Sequence, residues 1–153
     1  MRAEMGMPAQ DHALPDLDVR LPLPEIGPWR AGNTGIAGAW RFAAAEPGPH
    51  LLITALVHGN EIAGALLLTR WLRAGIRPRR GTLTLCFANL AAFDRFDPAD
   101  PTASRFVDED LNRVWAEETL AGTRRSSEVE RARALLPLVR QADVLLDLHS
   151  MLW

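Results

Sequence analysis

The chain has 153 residues, 48% of them apolar and 24% charged, which fits one globular domain, or most of one, able to bury a core without staples. Its net charge of −2 gives no electrostatic case for nucleic acid or an anionic membrane as a partner. Its seventeen Lys-plus-Arg positions are all arginine, and tyrosine is absent. A Schiff-base lysine, a P-loop and a tyrosine acid are therefore excluded.

Residues 1–28 are rich in proline and polar residues and show little periodicity. They are expected to form a loose arm packed at Leu21 and Leu23, leaving 29–153 as the domain. The arm lacks the apolar region of a signal peptide, and no apolar run approaches the roughly 20 residues of a membrane span. A cytoplasmic location is expected. A hairpin should follow. Trp40 and Phe42 alternate within Gly35 to Ala45, Pro47-Gly48-Pro49 supplies a turn, and Leu51 to Val57 forms the return strand. That strand is apolar almost throughout, which predicts burial on both faces.

Asn60 is a good N-cap for a helix whose stripe of Ile62, Leu66, Leu67 and Trp71 ends before Gly75 and Pro78. A strand over Thr82 to Ala88 carries the single cysteine, Cys86, which reads as a buried strand residue. Asn89 to about Asp108 is long and irregular, and loops of that length in a compact domain are usually functional or disordered. Ser127 and Glu130 form a capping-box pattern for a helix over about 128–141, which Pro137 should kink or shorten. Asp143 to Leu148 reads as another buried strand. Strands alternating with helices point to an α/β sheet with helices on its faces.

Sites in open α/β sheets gather at the carboxyl ends of strands. Three such ends here carry polar residues: His58 and Glu61, then Asn89, then Asp147-Leu148-His149-Ser150. Two histidines and a glutamate form a known catalytic zinc set that leaves one coordination position open. His12, in the arm, and His50, in the turn, are weak competitors. Between these strand ends lies Arg105-Phe106-Val107-Asp108-Glu109-Asp110-Leu111-Asn112-Arg113. Its arginines suit a carboxylate or a developing oxyanion, Asn112 a directional hydrogen bond, and Asp110 the anchoring of an arginine or of the loop. A solvated charged loop is the bland alternative.

His58-Gly59-Asn60-Glu61, Asn89, Arg105-Phe106, Asp110-Leu111-Asn112-Arg113 and Asp147-Leu148-His149, in that order, resemble the succinylglutamate desuccinylase and aspartoacylase family, which is similar in fold and site to the zinc carboxypeptidases. The likeness runs from about residue 50 onward. It implies a mixed, mostly parallel sheet with helices on both faces, and one Zn2+ per chain held by His58, Glu61 and His149. It implies further that Arg105 polarises the scissile carbonyl, that Asn112 and Arg113 hold a substrate carboxylate, and that Asn89 lines the pocket. The implied reaction is hydrolysis of an amide in a small N-acyl amino acid.

Two departures stand out. Met151-Leu152-Trp153 is bulkier than the small hydroxylic residues usual after the third ligand. The family's general-base glutamate lies well downstream of that ligand, and no residue here matches it by motif. The chain is thus expected to be truncated, to expose sheet surface and to self-associate. A carboxypeptidase-like peptide hydrolase and a non-catalytic zinc-binding module are the competing readings.

Overall fold

The computed structural model describes residues 20–150. Most of the expected arm, His12 and Met151-Leu152-Trp153 lie outside the described residues. The strands are β1 (Ala39–Ala43), β2 (His50–Ala55), β3 (Thr82–Phe87) and β4 (Val144–Leu148), and the helices are α1 (Ile62–Arg73), α2 (Leu90–Phe93), α3 (Glu117–Ala121) and α4 (Ser127–Gln141). One sheet has the order β1-β3-β2-β4. β2 runs parallel to both β3 and β4, and β1 pairs antiparallel with β3.

The hairpin expected from Pro47-Gly48-Pro49 does not form, because β3 lies between β1 and β2. The segment after β1 instead wraps the start of β3: Ala44 N–H donates to Gly81 O at 2.9 Å, and Gly81 N–H to Glu46 O at 2.8 Å. A local turn signal yields here to tertiary pairing.

Alternation along the central strands builds two cores, one on each face of the sheet. Leu52 and Cys86 face α4, packing with Val129, Ala132, Leu135 and Leu138. Those four helix residues recur every three positions and form one stripe. Ile53, Ala55, Leu85 and Phe87 face α1 and meet Ala65, Leu68 and Leu72. The buried face of α1 is Ile62, Ala65, Leu68, Thr69 and Leu72, whereas Leu66 and Leu67 are only half-buried. Leu21 and Leu23 are exposed, and the end of the arm docks through Ile26 against the α1 core.

Four further expectations are corrected. The N-cap of α1 is Glu61 rather than Asn60. The N-cap of α4 is Ser126, whose Oγ accepts from Val129 N–H at 3.0 Å, with Ser127 as the first helical residue. The α4 helix runs unbroken through Pro137, which is exposed. β4 is an edge strand, and Val144, Leu145 and Leu146 are 46–53% exposed, so it is not the buried strand its apolar run suggested. Among the described residues, no helix is long and apolar enough to cross a membrane.

Candidate metal centre

The chain leaves β2 for β3 on one side and returns to β4 on the other. Such a reversal opens a crevice at the carboxyl ends of β2 and β4. His58 and Glu61 follow β2, and His149 follows β4, so topology alone delivers them to one place.

Local backbone geometry turns them inward. Leu56, fully buried, sits at φ +60, a conformation unfavourable for a leucine. It ends β2 and redirects the chain toward His58. Leu56 O accepts from Asn89 N–H at 2.7 Å, tying this turn to the end of β3. Gly59 then permits a close approach: a Cβ there would lie 2.4 Å from Ala92 C and from Ser104 O. Gly59 N–H donates to Arg105 O at 3.1 Å, which brings the loop carrying Arg105 against the turn after β2.

Each of His58, Glu61 and His149 offers one ligand atom, and the three atoms lie within 4.8 Å of one another. His58 Nδ1 is 2.7 Å from Glu61 Oε1, and His149 Nδ1 is 3.2 Å from Glu61 Oε2. The two imidazoles meet edge to face with centroids 4.9 Å apart. Glu61 Oε2 is buried and accepts no hydrogen bond. His149 is further oriented by Asp147 Oδ2 at 3.3 Å, and Thr54 Oγ donates to Asp147 Oδ1 at 2.8 Å.

His58 is fully buried, and its Nε2 lies 2.9 Å from Asp110 Oδ1. A ring flanked by two carboxylates satisfies both only as the imidazolium. Burial opposes that charge, but the bonds to Glu61 and Asp110 outweigh it and raise the His58 pKa above its ordinary value. Burial likewise opposes the Asp110 charge, but the bonds from His58 and from Asn112 N–H win and hold its carboxyl down at about 2.

Arg105 is half-buried and donates to Asp110 Oδ2 at 3.3 Å. Asp110 therefore joins Arg105 to His58. Asn112 and Arg113 follow on a short 3-10 turn over Leu111–Arg113, and both are exposed. Asn112 and Asp147 also line an apolar cavity of about 260 Å³ between the sheet and α4, walled by Leu52, Leu111, Leu135 and Leu138.

Asn89 occupies a different place from the one expected. It is 2% exposed, its Oδ1 accepts from Ala92 N–H at 3.1 Å, and its Nδ2 donates to Glu128 Oε1 at 3.0 Å. Its amide is committed within the protein. His50 is likewise engaged, with Nε2 at 2.8 Å from Thr84 Oγ and Nδ1 at 3.0 Å from Gln141 O. Glu128 went unnoticed in the sequence because a glutamate in a first helical turn ordinarily answers the helix dipole. The irregular length of the preceding loop was the only hint of it.

The fold, a mixed and mostly parallel sheet with helices on both faces, is that of the zinc-carboxypeptidase-like α/β proteins. Residues 47–152 match the succinylglutamate desuccinylase/aspartoacylase catalytic domain, and the chain belongs to that family. It is 32% identical over 116 residues to the aspartoacylase of Mus musculus, covering 70% of this chain and 36% of that protein. It is 30% identical over 113 residues to the N-acyl-aromatic-L-amino acid amidohydrolase (carboxylate-forming) of Xenopus laevis, covering 68% and 35%. Among solved structures it resembles an aspartoacylase family protein of Mesorhizobium loti, with TM-score 0.55, 27% identity, and 74% and 34% of the two chains covered. It also resembles murine aminoacylase 3, with TM-score 0.51, 33% identity, and 69% and 36% covered. The chain spans about a third of the length of the curated relatives it matches.

Proposed function

We propose that this chain is the metal-holding and substrate-anchoring portion of a zinc-dependent hydrolase that cleaves the amide of a small N-acyl amino acid. One observation carries the reading: His58, Glu61 and His149 each offer a ligand atom within 4.8 Å of the others, and Glu61 Oε2 is a buried oxygen without a hydrogen bond. A buried carboxylate oxygen lacking a donor is costly, and a cation would satisfy it. Two imidazole nitrogens and one carboxylate oxygen suit Zn2+, one per chain, with a coordination position left open. When bound, Zn2+ supplies Lewis acidity toward a carbonyl and acidifies water.

The chain's own residues have separable tasks. His58 keeps its Nε2–H on Asp110, which fixes the ring orientation and leaves Nδ1 to the cation. Arg105, anchored on Asp110, presents its remaining N–H donors to the substrate carbonyl oxygen as charge builds there. Asn112 and Arg113, exposed on one turn, offer a directional amide and a bidentate cation to the substrate carboxylate. No residue of this chain is assigned as general base.

The test is equilibrium dialysis against Zn2+ with metal analysis, paired with hydrolysis assays on N-acyl aspartate and N-acyl aromatic amino acids. One equivalent of zinc, lost in His58→Ala and in His149→Ala, is the expected result. Failure to bind stoichiometric zinc sinks the reading. Zinc bound with no hydrolysis of any acyl amino acid would favour a non-catalytic zinc-binding module instead.

A further inference from the structure

Glu128 lies in the first turn of α4, yet it is fully buried. Its Oε1 accepts from Val107 N–H at 2.7 Å and from Asn89 Nδ2 at 3.0 Å. Its Oε2 accepts from Asp108 N–H at 3.0 Å and from Glu109 N–H at 3.2 Å. Burial opposes the charge, but these donors outweigh it and hold the carboxyl below its ordinary value. Four donors fill a carboxylate's acceptor capacity, so Glu128 has nothing left to offer a ligand.

The three backbone amides it grips run directly into Asp110, which meets His58, Arg105 and Asn112 N–H. One helical turn further on, Arg131 donates to Ala37 O at 2.8 Å, to Phe87 O at 2.9 Å and to Ala88 O. Glu128 and Arg131 stand three residues apart on one face. The first two turns of α4 thus clamp the end of β3 with Arg131 and the loop before Asp110 with Glu128. Asp108 Oδ2 reinforces the clamp by accepting from Ser127 N–H at 2.7 Å.

We propose that Glu128 is a positioning residue: by gripping the amides of Val107, Asp108 and Glu109 it sets where the Asp110 carboxylate stands against His58, and so tunes the affinity of the metal centre. The inference rests on the metal reading above. A packing role alone would lower stability and leave the site unchanged.

The experiment is Glu128→Gln, which replaces one acceptor oxygen by an NH2 facing N–H donors, made in the wild-type and in the Asp110→Asn chains. Zn2+ affinity is read by chelator competition. Glu128→Gln is expected to weaken binding about tenfold in the wild-type background, the lower end for groups that orient metal ligands. It should add almost nothing once Asp110 is already disabled, since both act through one group. Equal losses in the two backgrounds, or none in the first, overturn the proposal. Absence of zinc binding by the wild-type chain overturns the metal reading along with it, whereas zinc binding that ignores Glu128→Gln overturns this proposal alone. Hydrogen exchange at the Asn112 amide, which bonds to Asp110 and not to Glu128, gives a second reading. It should quicken about tenfold in the folded Glu128→Gln chain, and an unchanged rate also overturns the proposal.

Discussion

His58 and His149 stand edge to face, 4.9 Å between ring centroids, one delivered by the central strand β2 and the other by the edge strand β4. Their surroundings are opposite. His58 is sealed between Glu61 and Asp110, while the His149 side chain, held by Glu61 and Asp147, keeps 25% of its surface exposed. The two histidines share one proposed task, but they differ in what they contribute to stability.

That difference separates two variants. His58→Ala strands two carboxylates that the ring now bridges, and should destabilise the metal-free chain by about 3 kcal/mol. His149→Ala should cost less, about 1 kcal/mol, since its side chain keeps a quarter of its surface in solvent. Both should abolish stoichiometric zinc. Urea unfolding of the two metal-free variants checks this, and equal destabilisation would contradict it.

Gly59→Ala tests the close approach that seats the Arg105 loop. The new Cβ would fall 2.4 Å from backbone atoms of Ala92 and Ser104, neither of which can rotate away. A loss of about 2–3 kcal/mol is expected, together with weaker zinc binding because Gly59 and His58 are adjacent. Thermal melts and zinc titration of the variant measure both effects. A neutral Gly59→Ala would show that the loop is free to retreat.

Acid and base should each destabilise the metal-free chain, through different groups. The Asp110 carboxyl is held from 3.8 down to about 2, so its contribution is complete above pH 4 and is lost as pH falls toward 2. His58 is raised above 6.5, so its contribution is complete below pH 6.5 and is lost as pH rises through the raised value. Stability measured by urea unfolding at graded pH should therefore peak between about pH 4 and 6.5. Asp110→Asn should flatten the acid limb; an unaltered limb would remove Asp110 from the account.

The edge strand carries the remaining prediction. Val144, Leu145 and Leu146 present exposed apolar side chains on a strand with one unpaired edge. Such an edge templates further pairing. Sedimentation should show concentration-dependent self-association of this chain, reduced by Leu145→Lys with zinc binding retained. Monomeric behaviour of the parent chain at high concentration would contradict the expectation.

Much of the site was legible because polar residues at strand ends interrupt long apolar runs. His58-Gly59-Asn60-Glu61 after Leu51 to Val57, and His149 after Val144 to Leu148, need no alignment to be noticed. What stayed hidden depends on partners distant in sequence. Nothing near Trp40 or Phe42 says that β1 pairs with β3 and not with the strand across the next turn. The apolar run before His149 looks the same whether a sheet continues past it or stops there. Asn89 reads as a pocket residue until Glu128 is seen accepting its amide. Ser126 and Ser127 are equivalent as caps until the helix geometry chooses between them.

The strand order also sets the sequence in which the site is assembled. β2, α1 and β3 are neighbours along the chain, so His58 and Glu61 belong to a unit that closes through short loops. β4 must return across 93 residues to place Asp147 beside Thr54, and long closures are slow and come late. The third proposed ligand, His149, therefore arrives with β4. An ion that needs all three ligands would bind only after that strand has docked, and by mass action it would hold the strand in place. Hydrogen exchange along Val144–Leu148 should then slow as zinc is added, and the ion would act as a latch on the least secured edge of the fold.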